Sequence, residues 1–113
     1  MALDIDGRII ETDDEGYLLD PSLWDEEVAL TLAETYRLDM SDEHWMVVRY
    51  VREYFEERQA VPEARHLLKA MKERLGADRA SRRYLYGLFP WGYAPQACKI
   101  AGMRKPLKLM LDV

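Results

Sequence analysis

YLYGLFPWGYAPQACKIAGMRKPLKLMLDV, residues 84 to 113, is the stretch on which the fold turns. Phe89-Pro90 closes one helical pattern. A small-residue helical segment around Cys98 then ends at Gly102, ahead of Arg104-Lys105-Pro106 and an apolar tail of Leu107, Leu109, Met110 and Leu111. Cys98 is the only cysteine. No internal disulfide is therefore possible, and any sulfur chemistry must use a free thiol, a persulfide or an intermolecular bridge. Flanked by Ala97 and Ile100, the thiol is either a reactive group on a carrier arm or a buried spectator.

Upstream of this stretch the pattern is helical. Ser81 can cap a helix through Tyr84, Leu85 and Leu88. Before it, Ala64, Leu67, Leu68, Met71 and Leu75 recur at helical spacing, with Pro62 suited to the first turn and Gly76 to the stop. Ser41 reads as the N-cap of the longest helix, which carries Trp45, Val48, Val51 and Phe55 and runs to about Gln59. Asp20-Pro21-Ser22 opens another, with Trp24, Val28, Leu32 and Tyr36 four apart and Leu23, Ala29 and Leu30 near the same stripe; Trp24 is assigned to packing. Nearest the N-terminus, Asp6-Gly7 between Ile5 and Ile9-Ile10 predicts a β-hairpin. A second turn, Asp13-Asp14-Glu15-Gly16, leads to Tyr17-Leu18-Leu19, which is expected to continue the meander.

At 113 residues the chain is predicted to form one domain, able to bury a core without disulfide or metal. No apolar run approaches the roughly 18 residues of a membrane span. The start, MALDIDGR, lacks the pattern of a signal peptide, so the cytoplasm is the expected location. Charge is divided unevenly along the chain. Residues 1–61 hold five Lys/Arg against seventeen Asp/Glu, a balance of −12, and residues 62–113 hold eleven against four, a balance of +7. Such polarity fits docking of the two halves on each other, an anionic partner for the second half, or two differently solvated surfaces.

Most site chemistries lack support. His44 and His66 are the only histidines, with no cysteine near either and no HExxH, so no metal is expected and both read as structural or solvent-facing. The acidic turns lack EF-hand spacing. There is no phosphate-binding glycine loop or nucleophile elbow, and no cofactor is expected. The helices on either side of Ala77 to Ala80, the second bearing Arg82 and Arg83, resemble a helix-turn-helix and leave DNA open as a partner.

Leu88-Phe89-Pro90, Gly92, Gln96-Ala97-Cys98-Lys99-Ile100-Ala101-Gly102 and Lys105-Pro106 resemble the C-terminal signature of the DsrC/TusE family. These are small sulfur-relay proteins that work with dissimilatory sulfite reductase or in tRNA thiolation. Asp14-Glu15-Gly16-Tyr17-Leu18, the Trp24 region, Asp42-Glu43-His44-Trp45, Arg52-Glu53-Tyr54-Phe55, and Pro62 with Arg65 match the family pattern in the same order. The resemblance implies a mainly α fold, an orthogonal helical bundle with a small N-terminal β-hairpin and a C-terminal arm. It places the hairpin at about 3–19, the helices at about 23–102 and the arm at about 103–113. It also implies a sulfite reductase or sulfur-relay protein as partner.

The resemblance further implies that sulfite-reductase members use two arm cysteines and tRNA-thiolation members only the near-terminal one. Cys98 matches the inner position. Leu109 stands where the outer cysteine belongs. Cys98 is then the sole candidate sulfur carrier, with Lys99, Arg104, Lys105, Arg82 and Arg83 as candidates to stabilise its thiolate or dock a partner. The alternative is a regulatory relative without sulfur transfer, binding DNA or a protein through its basic second half. The apolar tail is expected to pack on the bundle or into a partner groove.

Overall fold

A computed structural model describes residues 1–105. The chain opens with the hairpin: β1 (Ala2–Ile5) pairs antiparallel with β2 (Arg8–Glu11) in the register Leu3↔Ile10 and Ile5↔Arg8. Asp6 and Gly7 form its two-residue turn at φ +52° and +87°, the left-handed pair that matches strand twist. Ile5 and Ile10 are buried and Ile9 faces out, as a period of two requires. The expected third strand is reduced to one bridge, Thr12↔Leu18. The Asp13 carboxylate accepts from the backbone N–H groups of Glu15 and Tyr17, coiling the chain into a tight turn before a strand can extend. Tyr17 and Leu18 nevertheless enter the core.

Pro21–Leu23 make a single 3-10 turn, and α1 (Glu26–Thr35) begins only after Asp25, whose carboxylate caps the Val28 N–H at 3.0 Å. Trp24 therefore precedes the helix. Val28, Ala29, Leu32 and Ala33 form the buried stripe, whereas Leu23 and Leu30 are 45% and 50% exposed, so the stripe is narrower than the sequence spacing indicated. The next helix, α2 (Asp42–Arg58), starts at a reciprocal cap: Ser41 Oγ accepts from the His44 N–H and His44 Nδ1 from the Ser41 N–H. Its other ring nitrogen, Nε2, lies 2.7 Å from the Leu88 carbonyl oxygen, making His44 a structural tie between α2 and the segment near Phe89.

α3 (Ala64–Leu75) begins two residues after Pro62 and stops at Gly76, φ +99°. A 3-10 turn, Ala77–Arg79, leads to α4 (Arg82–Leu88), capped by Ser81. Beyond the buried Phe89 the chain winds through Tyr93–Cys98 in a π turn, where the Gly92 carbonyl receives N–H groups from both Gln96 and Ala97. Leu18, Leu32, Val51, Leu67, Met71, Phe89, Ile100 and Met103 meet in one core. The fold is mainly helical with a two-stranded N-terminal hairpin. Met103, where the arm was expected to begin, is fully buried. Leu107, Leu109, Met110 and Leu111 lie outside the described residues.

Charge polarity is realised partly as docking between the halves. Glu43 pairs with Arg79 at 2.8 Å, Glu15 with Lys105 at 2.5 Å and Glu53 with Arg74 at 3.9 Å. Among the described residues no helix is long and apolar enough to cross a membrane.

Candidate functional site

The small residues around Cys98 let its backbone press into the core, and this determines the state of the thiol. Cys98 is completely buried, and burial pushes its pKa up to about 12. A contact with the Tyr93 hydroxyl offsets part of that rise. The Tyr93 hydroxyl itself donates to the Pro62 carbonyl at 2.5 Å, which ties the segment to the chain ahead of α3. Burial is the larger of the two effects and holds the thiol protonated.

Three phenols fasten the segment. Besides Tyr93, Tyr17 donates to the Ala94 carbonyl at 3.1 Å and Tyr36 to the Pro95 carbonyl at 2.6 Å. Burial raises the pKa of Tyr17 and of Tyr93 well above the ordinary phenol value, and the neighbouring Cys98 adds to both shifts. Gln96, also buried, accepts the Trp91 backbone N–H at 2.9 Å and fixes the Pro90-Trp91-Gly92 corner, while the Trp91 ring remains 67% exposed.

At the far end of the segment, Trp24 Nε1 donates to the Ile100 carbonyl at 2.8 Å, and Arg52 Nη1 to the Ala101 carbonyl at 3.3 Å and the Pro21 carbonyl at 3.1 Å. The Arg52 guanidinium lies 4.7 Å over the Trp24 ring and 5.5 Å over Phe55. Burial weakens its hold on the proton, and Glu56, 3.3 Å away, opposes that. Trp24 thus packs, as its spacing indicated, but also donates a hydrogen bond. The Arg52 contacts had no counterpart in the sequence pattern beyond a family-like Arg52-Glu53-Tyr54-Phe55, because they join residues 31 and 49 positions apart.

The basic candidates do not converge on sulfur. The Lys99 ammonium stands over the rings of Tyr17 (4.9 Å) and Tyr36 (5.4 Å), a cation–π site on the outer side of the turn. Lys105 pairs with Glu15, which holds its pKa above the ordinary lysine value. Arg104, Arg82 and Arg83 are exposed and have no ion pair among the described residues. Lys105 therefore ties the end of the described chain to the acidic turn, and Lys99 lies against Tyr17, just after that turn, and Tyr36, at the end of α1. Arg82 and Arg83 sit on α4, which is only seven residues long. Its Tyr84 hydroxyl is committed to Glu43, already paired with Arg79, and nothing in the geometry favours DNA there.

A family model described as DsrC like protein matches residues 4–110. The chain is 48% identical over 103 residues to the sulfurtransferase TusE of Escherichia coli K12, covering 91% of this chain and 94% of that one. It is 44% identical over 108 residues to the TusE homolog of Haemophilus influenzae, covering 96% and 99%. The oxidized gamma subunit of the dissimilatory sulfite reductase, DsrC, from Archaeoglobus fulgidus superposes with a TM-score of 0.89 at 38% identity, covering 95% of this chain and 97% of that one. Allochromatium vinosum DsrC gives 0.84 at 41% identity and the same coverage. The chain belongs to the DsrC family, the small sulfur-relay and sulfite reductase gamma-subunit-like proteins.

Proposed function

We propose that this protein serves a sulfur relay with Cys98 as its only possible sulfur-carrying thiol, held latent while residues 93–103 stay packed and available once they open on a relay protein or a sulfite reductase. The observation that supports this is complete burial of sulfur at the family's inner-cysteine position, with Leu109 at the outer one. With a pKa of about 12, roughly one thiol in 10⁵ is ionised at pH 7, against about one in thirty for a thiol near 8.5. In the open form the Cys98 thiolate attacks the outer sulfur of a persulfide donor. The donor's S–S bond breaks, the donor leaves as its own thiolate, and Cys98 keeps the outer sulfur with its proton, so no separate oxidant or reductant is consumed. Arg104, Arg82 and Arg83 are assigned to partner docking, and Lys99 and Lys105 to holding the arm root. A cytoplasmic setting fits a single unpaired thiol.

The test is intact-mass analysis after incubation with a small persulfide donor. The packed protein alone should remain unmodified over minutes, and addition of a relay partner or sulfite reductase should bring a gain of about 32 Da on Cys98. Addition to the protein alone at the rate of free cysteine would overturn latency. No adduct with donor and partner together would overturn carriage.

A further inference from the structure

The segment that buries Cys98 leaves the last carbonyl groups of its helical winding without helical partners. Two of these, on Ile100 and Ala101, are taken by side chains from distant parts of the chain: Trp24 and Arg52. Arg52 is an expensive choice for such a place. Its side chain is 9% exposed, its Nε has no partner, and its carboxylate neighbour Glu56 is 65% exposed. A buried guanidinium with an unsatisfied donor contributes little net stability compared with an apolar side chain of similar size. What it does supply is direction. Its Nη1 joins the Pro21 and Ala101 carbonyls, Nη2 reaches Glu56, and its face covers Trp24. Gly102 then turns away at φ +78°, so close to Trp24 that an added Cβ would stand 2.3 Å from the ring's Cδ1.

We infer that Trp24 and Arg52 are positioning residues for sulfur acceptance: through the Ile100 and Ala101 carbonyls they keep Cys98 sealed, and their release is the local opening that admits a reagent. This deepens the latent-thiol proposal and rests on its premise that Cys98 reacts from an opened state. It does not require that the reagent be a persulfide. Opening is confined to the stretch after Tyr93, because α2 and α3 hold the rest of the core through Val48, Val51, Leu67 and Met71.

The experiment is alkylation of the native full-length chain by iodoacetamide, followed by mass, across a series of urea concentrations below the unfolding transition. Local opening gives a rate nearly independent of urea, whereas opening by global unfolding rises steeply with it. Trp24→Phe keeps an aromatic ring and removes the N–H donor; Arg52→Met keeps the stem and removes the fork. Each is expected to speed alkylation about tenfold or more without urea, through the urea-independent route. Arg52→Lys, which retains one charged donor, should fall between Arg52→Met and the parent. Leu67→Ala, a core truncation away from these carbonyls, should speed alkylation only through the urea-dependent route. Unchanged rates in Trp24→Phe and Arg52→Met, or increases that track urea as in Leu67→Ala, would overturn the assignment. The persulfide experiment is independent of this result, so failure of relay chemistry and failure of the seal are read separately.

Discussion

Gly102→Ala puts the tightness of the Trp24 contact to a quantitative test. At φ +78° an alanine meets the left-handed penalty of about 1 kcal/mol. The new Cβ would also lie 2.3, 2.6 and 2.8 Å from Cδ1, Cγ and Cβ of Trp24. These atoms are at the root of the side chain, so rotation of a flexible tip gives no relief. The indole must shift, losing its bond to Ile100 at about 1 kcal/mol and its stacking under Arg52 at about 1 to 2 kcal/mol. The expected loss is therefore about 3 to 4 kcal/mol. At the usual unfolding entropy per residue, that lowers Tm by about 15 °C for a chain of this size. Urea denaturation at 25 °C and calorimetry measure it. Gly87→Ala is the control: it lies in α4, the added Cβ would meet nothing within 4 Å beyond its chain neighbours and its own helix backbone, and it should stabilise by about 0.5 to 1 kcal/mol. A Gly102→Ala loss under about 1 kcal/mol would mean that Trp24 yields freely and does not brace the segment.

Stability should fall as pH rises above about 9. The folded Cys98 pKa of about 12 lies above its ordinary value of 9.0. The unfolded chain therefore releases this proton first, and between the two values native stability is lost at roughly 1.4 kcal/mol per pH unit. Urea midpoints at pH 8, 9.5 and 10.5 should show a shallower decline in Cys98→Ala, with a remaining slope from Tyr17 and Tyr93, whose values are also raised. Parallel declines would contradict the burial effect. Ser41→Ala, which removes the reciprocal cap with His44, should cost about 1 kcal/mol in the same denaturation assay, and no change would show the cap to be incidental.

Local chemistry made much of the fold legible. Asp6-Gly7 forms the hairpin turn, Ser41 and Ser81 cap helices, and Gly76 ends one. Each signal acts within about four residues, the range over which side chain and backbone compete directly. Errors arose where the wider fold decides. Leu23 and Leu30 are exposed because α1 starts at Glu26 and only one narrow face meets the core. Pro62 stands outside α3, and its carbonyl serves Tyr93 instead. At the site, Cys98 and its neighbours could be found as a family-like motif, but the thiol's burial could not. That burial depends on Tyr17, Trp24, Tyr36 and Arg52 reaching backbone carbonyls far along the chain, contacts that leave no periodic trace. Lys99 follows the cysteine in sequence and yet meets two phenol rings, because adjacent helical residues point in different directions.

The wide turn at Tyr93–Cys98 has an evolutionary consequence. A π turn holds one residue more than α-helical winding needs, and each helical residue rotates the chain by about 100°. The bearing of Cys98 is therefore set by residue count as much as by residue identity. Losing a single codon before Cys98 would move the cysteine back into the place Ala97 now holds, about 100° round the axis on the side away from Lys99, and that place is itself fully buried. A change of one residue in the turn therefore trades one buried position for another, and the sulfur reaches solvent only when the packing around the segment opens.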